Sequence, residues 1–250
     1  MANNPRRDFY WQVMDAVRES GVPFMVGGAY AMAFYTGITR KTKDLDIFTH
    51  PRDTQRLMEF LSKQEFSAQV IAPQWLANVI SEEGLVDVIF GSRNGIAIVD
   101  DEWFAHASEG ELFDSPVKFV PVGETIWSKG FVMERDRYDG ADIAHLLHSK
   151  GKEMDWHRLL TRFGDNWQLF FSHLVMFTFV YPSEQHLVPD WVTQELVARW
   201  TQKKHTNGRS TPICRGTLLS HAGYTHDIEE WGYLDARLAP IGKLTPEQIK

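Results

Sequence analysis

The chain of 250 residues is long enough for one large domain or two small ones, and 43% hydrophobic with 24% charged residues describes a folded chain rather than a disordered one. Its net charge of −7 sits almost wholly in residues 1–123, which hold 17 Asp and Glu against 11 Lys and Arg. Such acidity argues against tight, sequence-blind nucleic-acid binding, though not against a local basic patch for a nucleotide or a tRNA. The one cysteine, Cys214, cannot form an internal disulfide and fits a reducing compartment. The opening MANNPRRDFYWQ has no apolar signal core, and the longest apolar stretch, 169–181, is interrupted by Ser172, His173 and Thr178 and is too short to span a bilayer. A cytoplasmic protein with no membrane segment and no disulfide is expected.

In chain order, Phe9, Val13, Ala16 and Val17 form one apolar stripe and predict a helix over 6–20, with Gly21 as its stop. A short buried strand follows at 23–26, broken by Gly27-Gly28. A helix is expected over 29–35, ended by Gly37, then a strand at 44–48 and a helix at 54–63. Strands or strand edges are expected at 70–71 and 76–80, and a strand at 85–90. Asn94-Gly95 reads as a hairpin turn with its partner strand at 96–99, and 117–122 as one more strand. Helices are expected over 124–132, 138–149, 156–163, 165–179 and 192–203, with tryptophans at 127, 156, 167, 191 and 200 suited to packing between them. The polar stretch 205–212 reads as a loop.

Three acids stand inside these strands. Asp44 and Asp46 are one residue apart, so they share a face of their strand. Asp87 lies between Val86 and Val88. Carboxylates among aliphatics are costly unless paired or metal-bound, and two acids so close repel unless a cation sits between them. The simplest arrangement makes the two strands neighbours, so that all three acids converge. Hard oxygen ligands of this kind suit Mg²⁺ or Mn²⁺, two of which can clamp an in-line phosphoryl or nucleotidyl displacement. One acid could take the proton of an attacking hydroxyl. Gly27-Gly28, between strand and helix, lets the backbone approach a phosphate at a helix N-terminus. Arg40, Lys41 and Lys43 precede the acids.

The order Gly27-Gly28, a helix, Thr42-Lys43-Asp44-Leu45-Asp46 and then Val86-Asp87-Val88 resembles the DNA polymerase beta-like nucleotidyltransferase superfamily. The resemblance implies metal-dependent transfer of a nucleoside monophosphate from an NTP to an acceptor hydroxyl, with pyrophosphate released. It implies Asp44 and Asp46 as metal ligands, Asp87 as the third acid, and Gly27, Gly28, Thr42 and Lys43 as nucleotide-binding residues. Many members have Gly-Ser where this chain has Gly27-Gly28. A second resemblance, over Lys129 to Leu147, is to bacterial nucleotidyltransferases of the abortive-infection toxin type. It implies a phosphate contact for Lys129 near Arg135, Arg137, Asp139 and Asp142, and with it an antitoxin partner or a tRNA acceptor. The expected organisation is α+β: a mixed sheet with flanking helices over 1–123 as the catalytic domain, and a mostly helical region over 124–250 supporting acceptor or nucleotide.

Plainer readings stand beside these. The strand acids can be solvated edge residues, Asp87 a partner for an arginine, and Gly27-Gly28 a tight turn. Lys129 can be a solvated helix lysine. The ten histidines form no zinc pattern. Lys203, Lys204, His205 and Arg209 read as a solvated basic loop, and 221–230 as a polar tail. A catalytically silent relative that binds a nucleotide or a partner is the alternative function. A metal phosphohydrolase is disfavoured because the nearest histidine, His50, falls beyond the strand of Asp46.

Overall fold

The computed structural model describes residues 4–205 and 211–249, and the chain forms two compact units. One runs to Pro121 and takes in the segment from Leu244 onward; the other is Val122–Lys243. Arg209 and most of the loop expected over 205–212 lie outside the described residues, as do the side chains of Lys203, Lys204 and His205.

The first unit opens with α1 (Pro5–Glu19), where the Asn4 side chain accepts a hydrogen bond from the Arg7 N–H and Pro5 fills the first turn. Then follow β1 (Met25–Val26), α2 (Gly28–Thr36), β2 (Asp44–Phe48), α3 (Pro51–Lys63), β3 (Ser67–Ala72), β4 (Leu76–Ile80), β5 (Leu85–Ile89), α4 (Asp101–Ala105), β6 (Ser108–Leu112) and β7 (Ser115–Phe119). The strands form one sheet in the order β3-β4-β5-β2-β1-β7-β6. It is mixed: β2 with β5 and β1 with β7 are parallel, and the other neighbours are antiparallel.

Alternation along the strands separates the two faces. Leu45, Ile47, Val86 and Val88 are fully buried, as are Val13 and Val17 of α1 and Leu57 and Leu61 of α3. Burying such side chains supplies the main favourable free energy, about 1.5–3 kcal/mol for each. Asp44, Asp46 and Asp87 occupy the opposite, half-buried face.

The strand expected at 96–99 does not form. Asn94 and Gly95 do turn the chain, with Gly95 at φ +74. Side chains then capture the backbone that a ladder would use: Asn94 Oδ1 accepts from the Ile96 N–H and Ser92 Oγ from the Ala97 N–H. β7 pairs with β6, a strand not expected from the sequence because SEGEL has no apolar alternation. Its tip places Phe113 and Asp114 at positive φ, as a two-residue hairpin turn requires. Phe113 packs between the rings of Tyr10 and Tyr30.

The second unit contains α5 (Val122–Gly130), α6 (Gly140–Lys150), α7 (Trp156–Phe163), α8 (Trp167–Val180), α9 (Asp190–His205), β8 (Ile213–Cys214), α10 (His221–Glu229) and β9 (Leu234–Asp235). The polar segment at 221–230 is therefore mostly helix, capped by Ser220, which accepts from the Gly223 N–H. Trp127, Trp156 and Trp167 are buried in the helical core, whereas Trp191 and Trp200 are exposed. Glu124 is fully buried and takes both Arg158 and Arg162 on one oxygen. Burial pushes its carboxyl upward against the pull of the two guanidinium groups. Among the described residues no helix is long and apolar enough to cross a membrane.

Candidate active site

The register of the sheet places the acids. Asp46 on β2 stands directly opposite Asp87 on β5, and Asp44 stands opposite Leu85. Directly paired residues point to the same face, so Asp46 and Asp87 meet side by side on the half-buried face, with Asp44 two residues along. The row extends to both sides. On β4, Asn78 is the antiparallel partner of Asp87. Beyond the end of β1, the Gly27 N–H donates to the Asp46 carbonyl at 2.9 Å.

Both glycines answer to β2. A Cβ on Gly27 would fall 2.2 Å from the Phe48 ring, and one on Gly28 would fall 1.6 Å from Asp46 Oδ2. Gly28 also sits at φ +53, in the left-handed region. The carboxylate of Asp46 thus occupies the place of the side chain that position 28 lacks. The close approach expected of a ligand is made first by the protein's own acid. The N-cap residue of α2, Gly27, has no side chain to cap it, and the Asp46 carboxylate lies beside the first residue of the helix.

Thr42 and Lys43 part ways. The Thr42 hydroxyl donates to the Asp44 carboxylate, and the Asp44 N–H returns to Thr42 Oγ1 at 3.5 Å. Thr42 therefore orients Asp44. Lys43 is exposed.

Burial, and after it the charge of Asp44, pushes the Asp87 carboxyl up to about 6. The site thus holds an acid that titrates near neutrality, the range suited to taking a proton from a hydroxyl. Two aromatic hydroxyls that the sequence reading passed over feel the same acids. Tyr10 is pushed up to about 12, by burial first and then by Tyr30, Asp44 and Asp46 against Arg6. Tyr30 is raised by burial and Asp44 against the same arginine. Arg6 secures the neighbouring backbone by donating to the carbonyls of Glu83 and Thr42.

A divalent cation suits this donor set: carboxylate oxygens on one sheet face, with the repulsion between Asp44 and Asp87 a cost that positive charge would relieve. Among the described residues, however, no three His, Cys, Asp or Glu side chains are gathered closely enough to hold a metal. Asp46 and Asp87 are register partners, with the Asp46 carboxylate lying against Gly28.

Two further candidates lie elsewhere. In the second unit, Lys129 Nζ donates to Asp139 Oδ2 at 2.8 Å and contacts Asp142 Oδ2 at 2.7 Å, all three side chains being nearly buried. Arg137 adds two bonds to Asp139. Burial raises the Asp139 carboxyl, but the Arg137 and Lys129 bonds outweigh it and hold it below the usual range. Lys129 is thus no solvated helix lysine. His50 binds Asp101 at 2.9 Å and stacks on Phe104, so it is held away from the acid row.

Comparison with known proteins adds a limited likeness. No curated protein matches the chain. Among solved structures, the antibiotic-resistance factor ANT(2'')-Ia is 16% identical with a TM-score of 0.47, over 67% of this chain and 95% of that one. The lincosamide antibiotic adenylyltransferase LnuA is 18% identical with a TM-score of 0.40, over 56% and 94%. A nucleotidyltransferase-like protein from Paracoccidioides brasiliensis is 12% identical with a TM-score of 0.45, over 74% and 92%. In sequence, the likeness to a nucleotidyltransferase family is confined to residues 10–124, which hold the two glycines and all three acids and match the model of the aminoglycoside-2''-adenylyltransferases.

Proposed function

We propose that the first unit is a divalent-metal-dependent nucleotidyltransferase that moves a nucleoside monophosphate from an NTP to a hydroxyl of a small, hydroxyl- and amine-bearing acceptor. The observation that carries this reading is the register pairing of Asp46 with Asp87 beside the Gly27-Gly28 turn that begins α2. In it, the NTP phosphates lie against the Gly27-Gly28 turn and the first N–H groups of α2, within reach of Lys43. Asp87 accepts the proton of the acceptor hydroxyl. The acceptor oxygen bonds to the α-phosphorus, the bond from that phosphorus to the β-phosphate oxygen breaks, and pyrophosphate leaves. Asp44, aligned by Thr42, Asp46 and Asp87 are the residues that would hold Mg²⁺ or Mn²⁺, which neutralises phosphate charge as it develops. Tyr10 and Tyr30 stay protonated at neutral pH and serve as donors rather than bases.

The match of residues 10–124 to an aminoglycoside adenylyltransferase model supports ATP as donor and an aminoglycoside-like acceptor. The toxin-type assignment, with a tRNA acceptor or antitoxin partner, rests on residues beyond that match. Lys129 joins the nucleotide site only if a phosphate competes for it with Asp139 and Asp142.

The test incubates the protein with labelled ATP, Mg²⁺ and, in separate arms, tobramycin, lincomycin and bulk tRNA. Labelled acceptor with pyrophosphate as co-product, lost in Asp46→Asn, is the expected result. Inorganic phosphate as product, or an Asp46→Asn variant as active as wild type, overturns it. Among the described residues no three acid, histidine or cysteine side chains gather as a metal site, and this favours one second reading, a silent relative that binds a nucleotide or a partner. Calorimetry showing no Mg²⁺-dependent NTP binding would favour the partner-binding form of that reading.

A further inference from the structure

Asn78 completes the acid row from the side opposite the glycines. It is 8% exposed and lies in the middle of β4, opposite Asp87. Cross-strand partners have Cβ atoms about 5 Å apart, so its carboxamide is the immediate neighbour of the Asp87 carboxylate. Its Oδ1 is buried and has no hydrogen-bond partner. A buried carbonyl oxygen left unpaired is destabilising, and native proteins rarely keep one without a use.

The chemistry of the missing partner follows from the atom. Oδ1 accepts, so what reaches it must donate: a hydroxyl or an ammonium group. NTP phosphates bring only acceptors. Position agrees, because the sheet runs β4-β5-β2-β1. Asn78 and the Gly27-Gly28 turn therefore flank the acid pair from opposite sides, three strand spacings or about 14 Å apart. With phosphates at the glycines, Asn78 falls on the acceptor's side.

We propose that Asn78 is a substrate-contacting residue whose Oδ1 accepts a hydrogen bond from a hydroxyl or ammonium group of the acceptor, next to the hydroxyl that Asp87 deprotonates. The inference rests on the nucleotidyl-transfer reading above. It gives that site a selectivity rule: acceptors carrying a second donor beside the reacting hydroxyl are preferred.

The experiment compares wild type with Asn78→Leu and Asn78→Ala, using ATP, Mg²⁺ and tobramycin, and follows kinetics and thermal melting. Both variants are expected to raise the KM for tobramycin at least about tenfold, the scale of one lost hydrogen bond, and to leave the KM for ATP within about twofold. Asn78→Leu is expected to melt no lower than wild type, because it removes an unpaired polar atom without opening a cavity. An unchanged KM for tobramycin, an equal rise for ATP, or a lowered melting point in Asn78→Leu overturns the inference. If wild type leaves tobramycin unmodified, it is the proposed acceptor class that fails. Melting alone then decides for Asn78: a rise in Asn78→Leu supports an oxygen kept for a ligand, and a fall shows a structural residue.

Discussion

The Asp46 carboxylate fills the space that a side chain on Gly28 would need, its Oδ2 lying 1.6 Å from that Cβ position. The two residues are 18 apart in sequence and form one device: the turn that begins α2 also seats the central acid. Gly28→Ala should therefore act at a distance from its own backbone. At φ +53 an alanine costs about 1 kcal/mol, and it also drives Asp46 from its seat. Gly37, at φ +73 with nothing near its Cβ position, is the matched control. Both alanine variants should lose about 1 kcal/mol in urea titrations to the backbone, and Gly28→Ala more, because Asp46 must also move. Only Gly28→Ala should also lose activity, by about 100-fold or more. Equal activity in the two variants would separate Gly28 from Asp46.

Asp87 gives a pH signature. Its carboxyl is raised in the fold from 3.8 to about 6, so the folded state holds its proton more tightly than the unfolded one. Below about pH 4 both states are protonated and the group costs nothing. Between about 4 and 6 the unfolded state ionises first and stability falls. Above 6 the full cost remains, at most about 3 kcal/mol at 1.36 kcal/mol per pKa unit. In EDTA, Asp87→Asn should therefore be more stable than wild type at pH 7.5 by about 1–3 kcal/mol, and by under about 1 kcal/mol at pH 4. It should also be inactive. An Asp87→Asn variant destabilised at pH 7.5 would make Asp87 a structural acid.

Much of this site could be read from the chain alone because its signals were local. Carboxylates inside DLDIF and LVDVI stand out against the aliphatics around them, and those segments became β2 and β5 with the expected face. What stayed hidden depended on partners far away in sequence. Nothing in SEGEL marks a strand until β7 lies beside it. Tyr10 reads as one more apolar position on α1, and only the folded chain brings its hydroxyl under the influence of Asp44 and Asp46. The Asn94-Gly95 turn was legible, but not the theft of its ladder hydrogen bonds by Ser92 and Asn94. Asn78 did leave a sequence signal, a carboxamide in the middle of LANVI, whose meaning awaited its register with Asp87.

Cation binding should be visible without turnover. If the acid row holds a divalent ion with Asp46 among its ligands, Mg²⁺ or Mn²⁺ relieves the repulsion between Asp44 and Asp87 and stabilises the folded state by mass action. At 100 times Kd the gain is about 2.7 kcal/mol. For a protein of this size that raises the melting temperature by about 5–10 °C. Asp46→Asn should lose most of this rise, whereas Asp101→Asn, which removes the partner of His50 and Arg52 away from the row, should keep it. A rise that survives in Asp46→Asn would place the cation elsewhere.

Lys129 separates structural from catalytic cost in the second unit. Its ammonium is held between Asp139 and Asp142 with about a tenth of each side chain exposed. Removing its charge takes one cation from two nearly buried carboxylates and leaves Asp139 to Arg137, a loss of up to about 3–5 kcal/mol. Lys129→Met should therefore melt well below wild type. Lys129→Met with Asp142→Leu should recover part of that loss, because a carboxylate that has lost its Lys129 ion pair goes with it. ATP affinity distinguishes the roles: if Lys129 serves packing alone, the folded double variant binds ATP as wild type does. If a phosphate also engages it, affinity stays low after stability returns.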